Sequence, residues 1–179
     1  MNTTVSIKKV HVWDKFVRIF HWSLVACVLL NFVVEEGEAL HQALGYAASA
    51  LVGARILWGF VGTRHARFAD FFPTPTRLRR YFDSLLAGRR EHYVGHNPAG
   101  ALMMLALMAF VLLLGLTGYL QTTDMFWGDE WLEELHEGLA SALLGLAGLH
   151  AAAALVVGRL EGTNLIGAMI TGVKVRRGR

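Results

Sequence analysis

The chain has 179 residues, of which 54% are hydrophobic and 17% are charged, and its formal net charge is +3. This composition is typical of an integral membrane protein and excludes an ordinary soluble globule, while the length fits one domain covering residues 1–179. The one cysteine, Cys27, excludes a disulfide within the chain.

Four apolar segments follow one another along the chain, and we predict that each forms a membrane-spanning helix. The third carries no charged residue, whereas the second contains His41 and Arg55. The first is short for the roughly 20 residues that a span needs. No small-residue cleavage pattern follows it, so we expect a retained span rather than a signal peptide. In chain order the predicted spans are about Val17–Val34, Leu40–Val61, Ala99–Leu120 and Trp131–Val157.

The basic residues all fall on one side of these spans. The 17 Lys and Arg residues lie before or at the inner end of the first span, after the fourth, or at the inner end of the second span and in the loop after it. By the positive-inside rule both termini are cytoplasmic, and the sequence predicts an all-α transmembrane four-helix bundle with Trp13, Trp22 and Trp58 at its inner interface. The outer segments and helix starts are acidic, with Glu35, Glu36, Glu38, Asp124, Asp129, Glu130, Glu133, Glu134 and Glu137.

The longest loop joins the second and third spans on the cytoplasmic side. After Pro73 and Pro75, the segment Thr76–Ala87 combines apolar and basic side chains at helical spacing. This pattern predicts a short amphipathic helix on the inner leaflet. Asn97 and Pro98 then begin the third span, Asn as the N-cap and Pro as the first helical residue.

Four histidines sort by depth into two pairs once the spans are oriented. His136 and His150 are fourteen residues apart on the fourth span. On a helix this is ~1400° of rotation and ~21 Å of rise, so they share a face near opposite membrane edges. His41 begins the second span outside, and His21 begins the first span inside. We therefore predict an inner pair, His21 with His150, and an outer pair, His41 with His136.

Such pairs indicate a particular kind of metal centre. Two histidines from different helices underfill a tetrahedral zinc site, but they complete an octahedral iron held in a porphyrin. Small residues that would admit the macrocycle follow His41 (Gly45 and Ala48) and lie between the fourth-span histidines (Ala140 and Ala147). The alternative is that the small residues only let the helices pack closely and that the histidines are hydrogen-bonded packing residues. The matched depths favour two haems, and they are non-covalent because no C-x-x-C-H motif is present.

Arg55 and His96 are candidate residues near the inner pair. Arg55 lies fourteen residues after His41, and we expect it to neutralise a propionate of the inner haem; the alternative is a side chain that extends to the membrane interface. His96 immediately precedes the third span. It could exchange protons with a quinone, because the ordinary histidine pKa is near neutrality. The alternative is that it is an ordinary residue at the start of the helix. His65 and His92 are expected to be solvated.

The chain contains the segments VWDKFVRIFHW (Val12–Trp22), RILWGFVGTRHARF (Arg55–Phe68), GHNPAG (Gly95–Gly100) and LHEGLASALLGLAGLHAAAAL (Leu135–Leu155). Together they resemble the bacterial cytochrome b561 and nickel–iron-hydrogenase b-type cytochrome family over nearly the whole chain. The resemblance implies a four-helix, inner-membrane cytochrome with two haem b groups, passing electrons between the quinone pool and a partner. Its ligand positions fall on His21, His41, His136 and His150. The hydrogenase branch usually has a longer chain, with more residues between its last two spans. The shorter outer loop between the last two spans here therefore weakens the specific case for a hydrogenase partner.

The expected function is electron transfer between a quinone on the inner side and a basic periplasmic c-type cytochrome, which the acidic outer surface would attract. Superoxide, which some relatives in this family are thought to oxidise, is an anion that this surface would repel. Two other classes stay open: a membrane-anchor cytochrome subunit of a larger oxidoreductase, and a haem-free metal transporter. We expect membrane lipid around the helices and no nucleic-acid partner.

Overall fold

The computed structural model describes residues 7–34, 38–89 and 93–177, and most of them are helical. Glu35, Glu36 and His92 lie outside the described residues. The predicted amphipathic segment forms a helix, although its position on the inner leaflet stays a prediction. In chain order the elements are β1 (Ile7–His11), α1 (Lys15–Asn31), α2 (Ala39–Val61), a 3₁₀ turn (Arg64–Ala66), α3 (Phe68–Phe71), α4 (Pro75–Leu86), α5 (Pro98–Gln121), α6 (Glu130–Glu161), α7 (Leu165–Thr171) and β2 (Val173–Arg177).

Three helices of the described chain, α2, α5 and α6, are long and apolar enough to cross a membrane. They correspond to the predicted second, third and fourth spans, although α6 continues beyond the expected end, to Glu161. The helix α1 forms over the predicted first span, but its 17 residues give ~25 Å of rise, less than the ~30 Å of a hydrocarbon core. Three of the predicted spans are therefore confirmed as helices long and apolar enough to cross a membrane, and the number of crossings, with α1 as a fourth, stays a prediction.

Local sequence signals explain where the long helices begin and end. Asp14 caps α1 by accepting a hydrogen bond from a backbone N–H at 2.8 Å, and Asn97 caps α5 in the same way at 2.7 Å. Pro98 occupies the first turn of α5, where its missing N–H would have had no helical partner. The helix α6 ends at Gly162, whose φ of 64° is the left-handed conformation that favours glycine.

The long helices pack in sequence order, α1 against α2, α2 against α5 and α5 against α6. The helix α5 approaches α2 closely at Gly115, where a Cβ would overlap the Ser49 hydroxyl. Within the described chain, α6 makes its close backbone contacts with α5 and α7, and its backbone stays apart from those of α1 and α2 over almost its whole length. A shared apolar core draws on all four helices through Phe20, Ala48, Val52, Met108, Val111 and Leu143.

A small sheet joins the two ends of the described chain, and the all-α prediction missed it. The strands β1 and β2 pair antiparallel, with Ile7 opposite Arg177. The backbone N–H groups of Val12 and Trp13 extend the connection by donating to the Gly172 carbonyl at 2.9 and 3.1 Å. Each strand has only five residues: β1 has no apolar alternation, so the brief alternation of residues 173–176 in β2 has no partner strand that the sequence predicts.

A second, smaller core lies beside this sheet. It contains Trp13, which is only 5% exposed, so this ring packs inside the protein and does not face lipid headgroups, while its depth at the inner interface stays a prediction. Trp22, at 40% exposed, keeps the surface that an interfacial residue needs. The members of this core are Val12, Trp13, Val17, Ala66 and Ala168.

Candidate functional site

The inner pair of predicted ligands is contributed by α1 and α6. His21 lies on the second turn of α1, and its imidazole ring centroid is 6.4 Å from that of His150 on α6, with the ring planes 50° apart. His21 Nδ1 is buried and has no hydrogen-bond partner among the described residues. The structure thus brings together two histidines separated by most of the chain.

The outer pair is contributed by α2 and α6. His41 is the third residue of α2, and His136 lies on the second turn of α6. Their ring centroids are again 6.4 Å apart, with the ring planes at 56°. The two pairs therefore have nearly the same geometry, at two levels separated along α6 by ~21 Å.

The separation within each pair fits one metal ion between two imidazoles. Metal–nitrogen bonds of about 2.0 Å, with each ring centre about 1.1 Å behind its nitrogen, put the centroids roughly 6.2 Å apart when the rings coordinate from opposite sides. A direct N–H···N hydrogen bond of about 2.9 Å would bring the ring centres to roughly 5 Å. The observed 6.4 Å is therefore too long for a direct hydrogen bond between the rings and close to the value for two imidazoles that hold one metal ion.

The donor set and the helix spacing fit a porphyrin iron better than a bare ion. Among the residues that the structure describes, no group of three or more His, Cys, Asp or Glu side chains is placed to hold a metal, whereas a structural zinc site needs four ligands. The backbone of α6 stands away from α1 and α2, although its histidines face theirs. A flat macrocycle at each level would require such a separation between the helix backbones.

The helix α5 supports one of the four histidines directly. Thr117 Oγ1 lies 2.8 Å from His136 Nδ1. On the next residue, a Cβ at Gly118 would lie 3.3 Å from His136 Cε1, so the absence of a side chain lets the ring sit against α5. Sequence reasoning missed both residues, because a Thr-Gly step in an uncharged span also occurs wherever helices pack closely.

Arg55 is buried between the inner ends of the helices and is only 1% exposed. Its Nη2 donates to the Ala66 carbonyl at 3.0 Å, and its guanidinium carbon lies 5.5 Å from the centre of the Phe68 ring. Its Nη1 is buried without a hydrogen-bond partner among the described residues. The side chain does not extend into solvent, and its free donor is available to an anionic group.

Asp14 joins α1 to the end of α2, a role that sequence reasoning missed. Its Oδ2 accepts hydrogen bonds from Trp58 Nε1 at 3.0 Å and from Thr63 Oγ1 at 2.6 Å, while Oδ1 caps α1. Burial raises the pKa of Asp14, but the hydrogen bonds and the nearby Arg55 charge outweigh it, so the net pKa is lowered. The sequence offered only the signal of an ordinary N-cap.

His96 lies in an aromatic cage beside the inner pair. The Trp13 and Phe71 ring centroids lie 4.7 and 4.8 Å from the centroid of its ring, and its Nδ1 is buried without a partner among the described residues. Burial, together with the nearby charges of Arg55 and Lys174, lowers the pKa of His96 to about 3. His96 is therefore neutral at physiological pH, and the argument from an ordinary histidine pKa does not hold.

Lys174 connects strand β2 to the loop before α5. Its ammonium group donates to the Gly95 carbonyl at 3.1 Å and lies 6.0 Å from the centre of the Trp13 ring. Burial lowers the pKa of Lys174, and the charge of Glu161 opposes that shift. His65, by contrast, pairs with the carboxylate of Asp70 in α3 at 3.1 Å and retains partial exposure.

The family comparison covers almost all of this framework. The model of the prokaryotic cytochrome b561 family matches residues 12–172, from Val12, two residues before Asp14, to Gly172, just before β2. The chain belongs to this family. The predicted resemblance is confirmed, and membership implies a haem b cofactor and a role in electron transfer.

Individual relatives are distant. The chain is 25% identical over 157 residues to the probable Ni/Fe-hydrogenase B-type cytochrome subunit of Azotobacter vinelandii, covering 70% of this chain and 65% of that protein. The corresponding protein of Bradyrhizobium diazoefficiens is 27% identical, with 70% and 63% covered, and that of Rhodobacter capsulatus is 24% identical over 212 residues, with 91% and 80% covered. The chain thus spans just under two thirds of the first two relatives. No solved structure matches it.

Proposed function

We propose that this cytochrome b561 carries electrons across the bacterial inner membrane, between a quinone near the inner histidine pair and a basic c-type cytochrome outside. The observation that carries the proposal is the pairing of His21 with His150 and of His41 with His136, each at 6.4 Å. The two histidines of each pair would hold one non-covalent haem b between them. Two such levels on one set of apolar helices form a route through the membrane.

The ligand set favours a relay over catalysis at the metal. An iron with an imidazole on each face has no open position for oxygen or a substrate. Haem b, when bound, supplies reversible one-electron chemistry at its iron. The residues of the chain supply the spacing of the two levels, the orientation of the imidazoles and the charges around them.

The small sheet supports a fourth crossing by α1. Because β1 pairs with β2, the two ends of the described chain lie on the same side of the bundle. Three crossings would leave them on opposite sides, so the pairing favours an even number of crossings, with α1 as the fourth. The exposed apolar side chains of Phe32 and Val33 lengthen its hydrophobic segment. The basic residues place this shared side in the cytoplasm.

Arg55 and His96 are proposed to form the inner haem and quinone environment. The free Nη1 of the Arg55 guanidinium matches a propionate, which accepts charge-assisted hydrogen bonds from such a donor. His96 is within electrostatic range of both His21 and His150. Its neutral ring is suited to hydrogen bonding a quinone, and it is not a ready proton acceptor at neutral pH.

The outer surface is proposed to receive a cationic protein. A field of one sign raises the rate of encounter with partners of the opposite sign, which favours a basic c-type cytochrome and disfavours the superoxide anion. The connections on this side contain no Lys or Arg. The exposed carboxylates described on it are Glu38, Asp124, Glu130, Glu133, Glu134 and Glu137.

A membrane-anchor subunit is the second candidate function. It is favoured by the relatives in Azotobacter vinelandii and Bradyrhizobium diazoefficiens, which are named as hydrogenase B-type cytochrome subunits. A stable complex with a peripheral oxidoreductase in gently solubilised membranes would support this role. Electron exchange between the purified chain and soluble acceptors would support the relay.

Counting haems tests the proposal most directly. The purified protein is expected to contain two haem b groups per chain by pyridine haemochrome assay. His21→Ala and His150→Ala should each lose the same haem, and His41→Ala and His136→Ala should each lose the other. His65→Ala is the matched control and should keep both. A wild-type chain with fewer than two haems, or losses that do not follow these pairs, would refute the proposal.

A further inference from the structure

Thr117 gives His136 a support that differs from the surroundings of two other proposed ligands. Its Oγ1 is 2.8 Å from His136 Nδ1, and the residue is 5% exposed, so bulk water does not compete for this contact. His21 Nδ1 and His41 Nδ1 are also buried, but neither has a hydrogen-bond partner among the described residues. The outer pair is therefore asymmetric, with a hydroxyl behind one ring.

The direction of this hydrogen bond follows from the other contacts of Thr117. Its hydroxyl lies 3.0 Å from the Leu113 carbonyl and 3.2 Å from the Leu114 carbonyl, and helical threonines commonly donate to such oxygens. With its hydrogen used in this way, Oγ1 is left as an acceptor for an N–H on His136 Nδ1. A proton on Nδ1 leaves Nε2 unprotonated, which is the nitrogen that a metal needs.

Gly118 holds the same ring in place sterically. A Cβ at this position would lie 3.3 Å from His136 Cε1 and 3.8 Å from Nδ1. The Nδ1–Cε1 edge of the imidazole therefore rests on α5, which fixes the ring orientation. The hydrogen bond and the glycine contact act together on one ligand.

We infer that Thr117 is a positioning residue of the outer haem, which fixes the tautomer of His136 and lowers the midpoint potential of that haem. The inference rests on the proposed function. A hydrogen bond from Nδ1–H raises the basicity of the coordinating nitrogen, which stabilises ferric over ferrous iron. Loss of such an outer-shell partner typically costs 10–100-fold in metal affinity. A tenfold loss confined to the ferric form raises the midpoint potential by about 59 mV.

Three variants of the haem-loaded protein separate the hydrogen bond from packing. Thr117→Val removes the hydroxyl and keeps the branched shape, whereas Thr117→Ser keeps the hydroxyl. Thr123→Val is the matched control, because the Thr123 hydroxyl also bonds a helix carbonyl, that of Leu120 at 2.6 Å. Each variant is titrated potentiometrically, and its low-spin ferric signals are recorded by electron paramagnetic resonance. The outer haem is the signal that His41→Ala lacks.

The expected result is a rise in the outer midpoint potential and an altered outer ferric signal in Thr117→Val, with wild-type values in Thr117→Ser and Thr123→Val. An unchanged outer haem in Thr117→Val overturns the inference, as does a Thr117→Ser variant that shifts as much as the valine. If Thr117→Val loses the outer haem altogether, normal haem content in Thr117→Ser supports the inference, and loss there overturns it. A wild-type chain without two haems is the separate failure of the proposed function.

Discussion

Replacing Asp14 with Asn is expected to weaken the junction between α1 and α2. Asn is as good an N-cap as Asp, so α1 can remain capped through the side-chain oxygen. The second carboxylate oxygen, however, accepts hydrogen bonds from Trp58 Nε1 at 3.0 Å and from Thr63 Oγ1 at 2.6 Å. An amide nitrogen at that position presents a donor to the indole donor. If the amide turns the other way, the cap loses its acceptor instead.

The size of this effect follows from the bonds that are lost. A hydrogen bond to a charged group contributes about 1.5–3 kcal/mol. The Thr63 hydroxyl can rotate to accept from the amide, so only the Trp58 bond is lost outright. Asp14 is partly exposed, and solvent screening reduces its contribution. We therefore expect Asp14→Asn to lower the free energy of unfolding by about 1–2 kcal/mol at neutral pH.

The pH dependence of the free energy of unfolding is a second, independent test of the junction that Asp14 makes. Although burial raises the pKa of Asp14, its hydrogen bonds and the Arg55 charge bring the net folded-state pKa below the ordinary value. Stability from a group with a depressed pKa is present above its unfolded-state pKa and is lost as the pH falls through the folded-state value. Wild type and Asp14→Asn should therefore differ at neutral pH and converge in acid.

The assay is denaturant unfolding in detergent, followed by tryptophan fluorescence and haem absorbance across a pH series. Asp124→Asn, at an exposed carboxylate on the opposite side, is the matched control and should unfold like wild type. Equal stability of Asp14→Asn and wild type at neutral pH would refute this account of the junction. A difference that persists unchanged in acid would show that the carboxylate charge is not its cause.

Three further predictions concern the haem levels and the outer surface. Arg55→Leu should lower the midpoint potential of the inner haem in a redox titration, because removing a buried cation stabilises the more positive ferric state. Arg55→Lys should shift this potential less. An unchanged potential in Arg55→Leu would reject the propionate pairing. Gly118→Ala should alter only the outer ferric signal, since its Cβ would lie 3.3 Å from His136, whereas Gly138→Ala, which meets nothing within 4 Å, should leave both signals unchanged. Electron exchange with a basic cytochrome c should slow as ionic strength rises, and a rate that is constant or increases in stopped-flow measurements would contradict the acidic docking surface.

The pairing of the histidines could be predicted from the sequence because only two regularities were needed. Helical rise gives the distance between His136 and His150, and the one-sided distribution of Lys and Arg orients the spans. Both rules act over whole helices, so an error of a few residues in a helix end does not move a ligand from one membrane edge to the other. The extra length of α6 in the structure leaves both histidine levels in place.

Contacts that depend on side-chain direction could not be predicted in this way. Asp14 bonds Trp58 and Thr63, which are 44 and 49 residues away, and an aspartate before a helix indicates by itself only a cap. Trp13 was assigned to the interface because an aromatic residue at a helix start fits a membrane belt as well as a core. Its surroundings include Ala168 of α7 and Lys174 of β2, two short elements that were not predicted from the sequence.

The inner and outer histidine pairs have the same ring spacing, but the residues around them favour opposite oxidation states of the haem that each would hold. The inner level lies among cations, with Arg55 buried and Lys174 held beside His96, and positive charge favours the ferrous state. At the outer level the hydroxyl of Thr117 accepts from His136, which favours the ferric state. Arg55→Leu should therefore lower the inner midpoint potential while Thr117→Val raises the outer one. Because these shifts have opposite signs and belong to different haems, a nonspecific loosening of the bundle would not produce both.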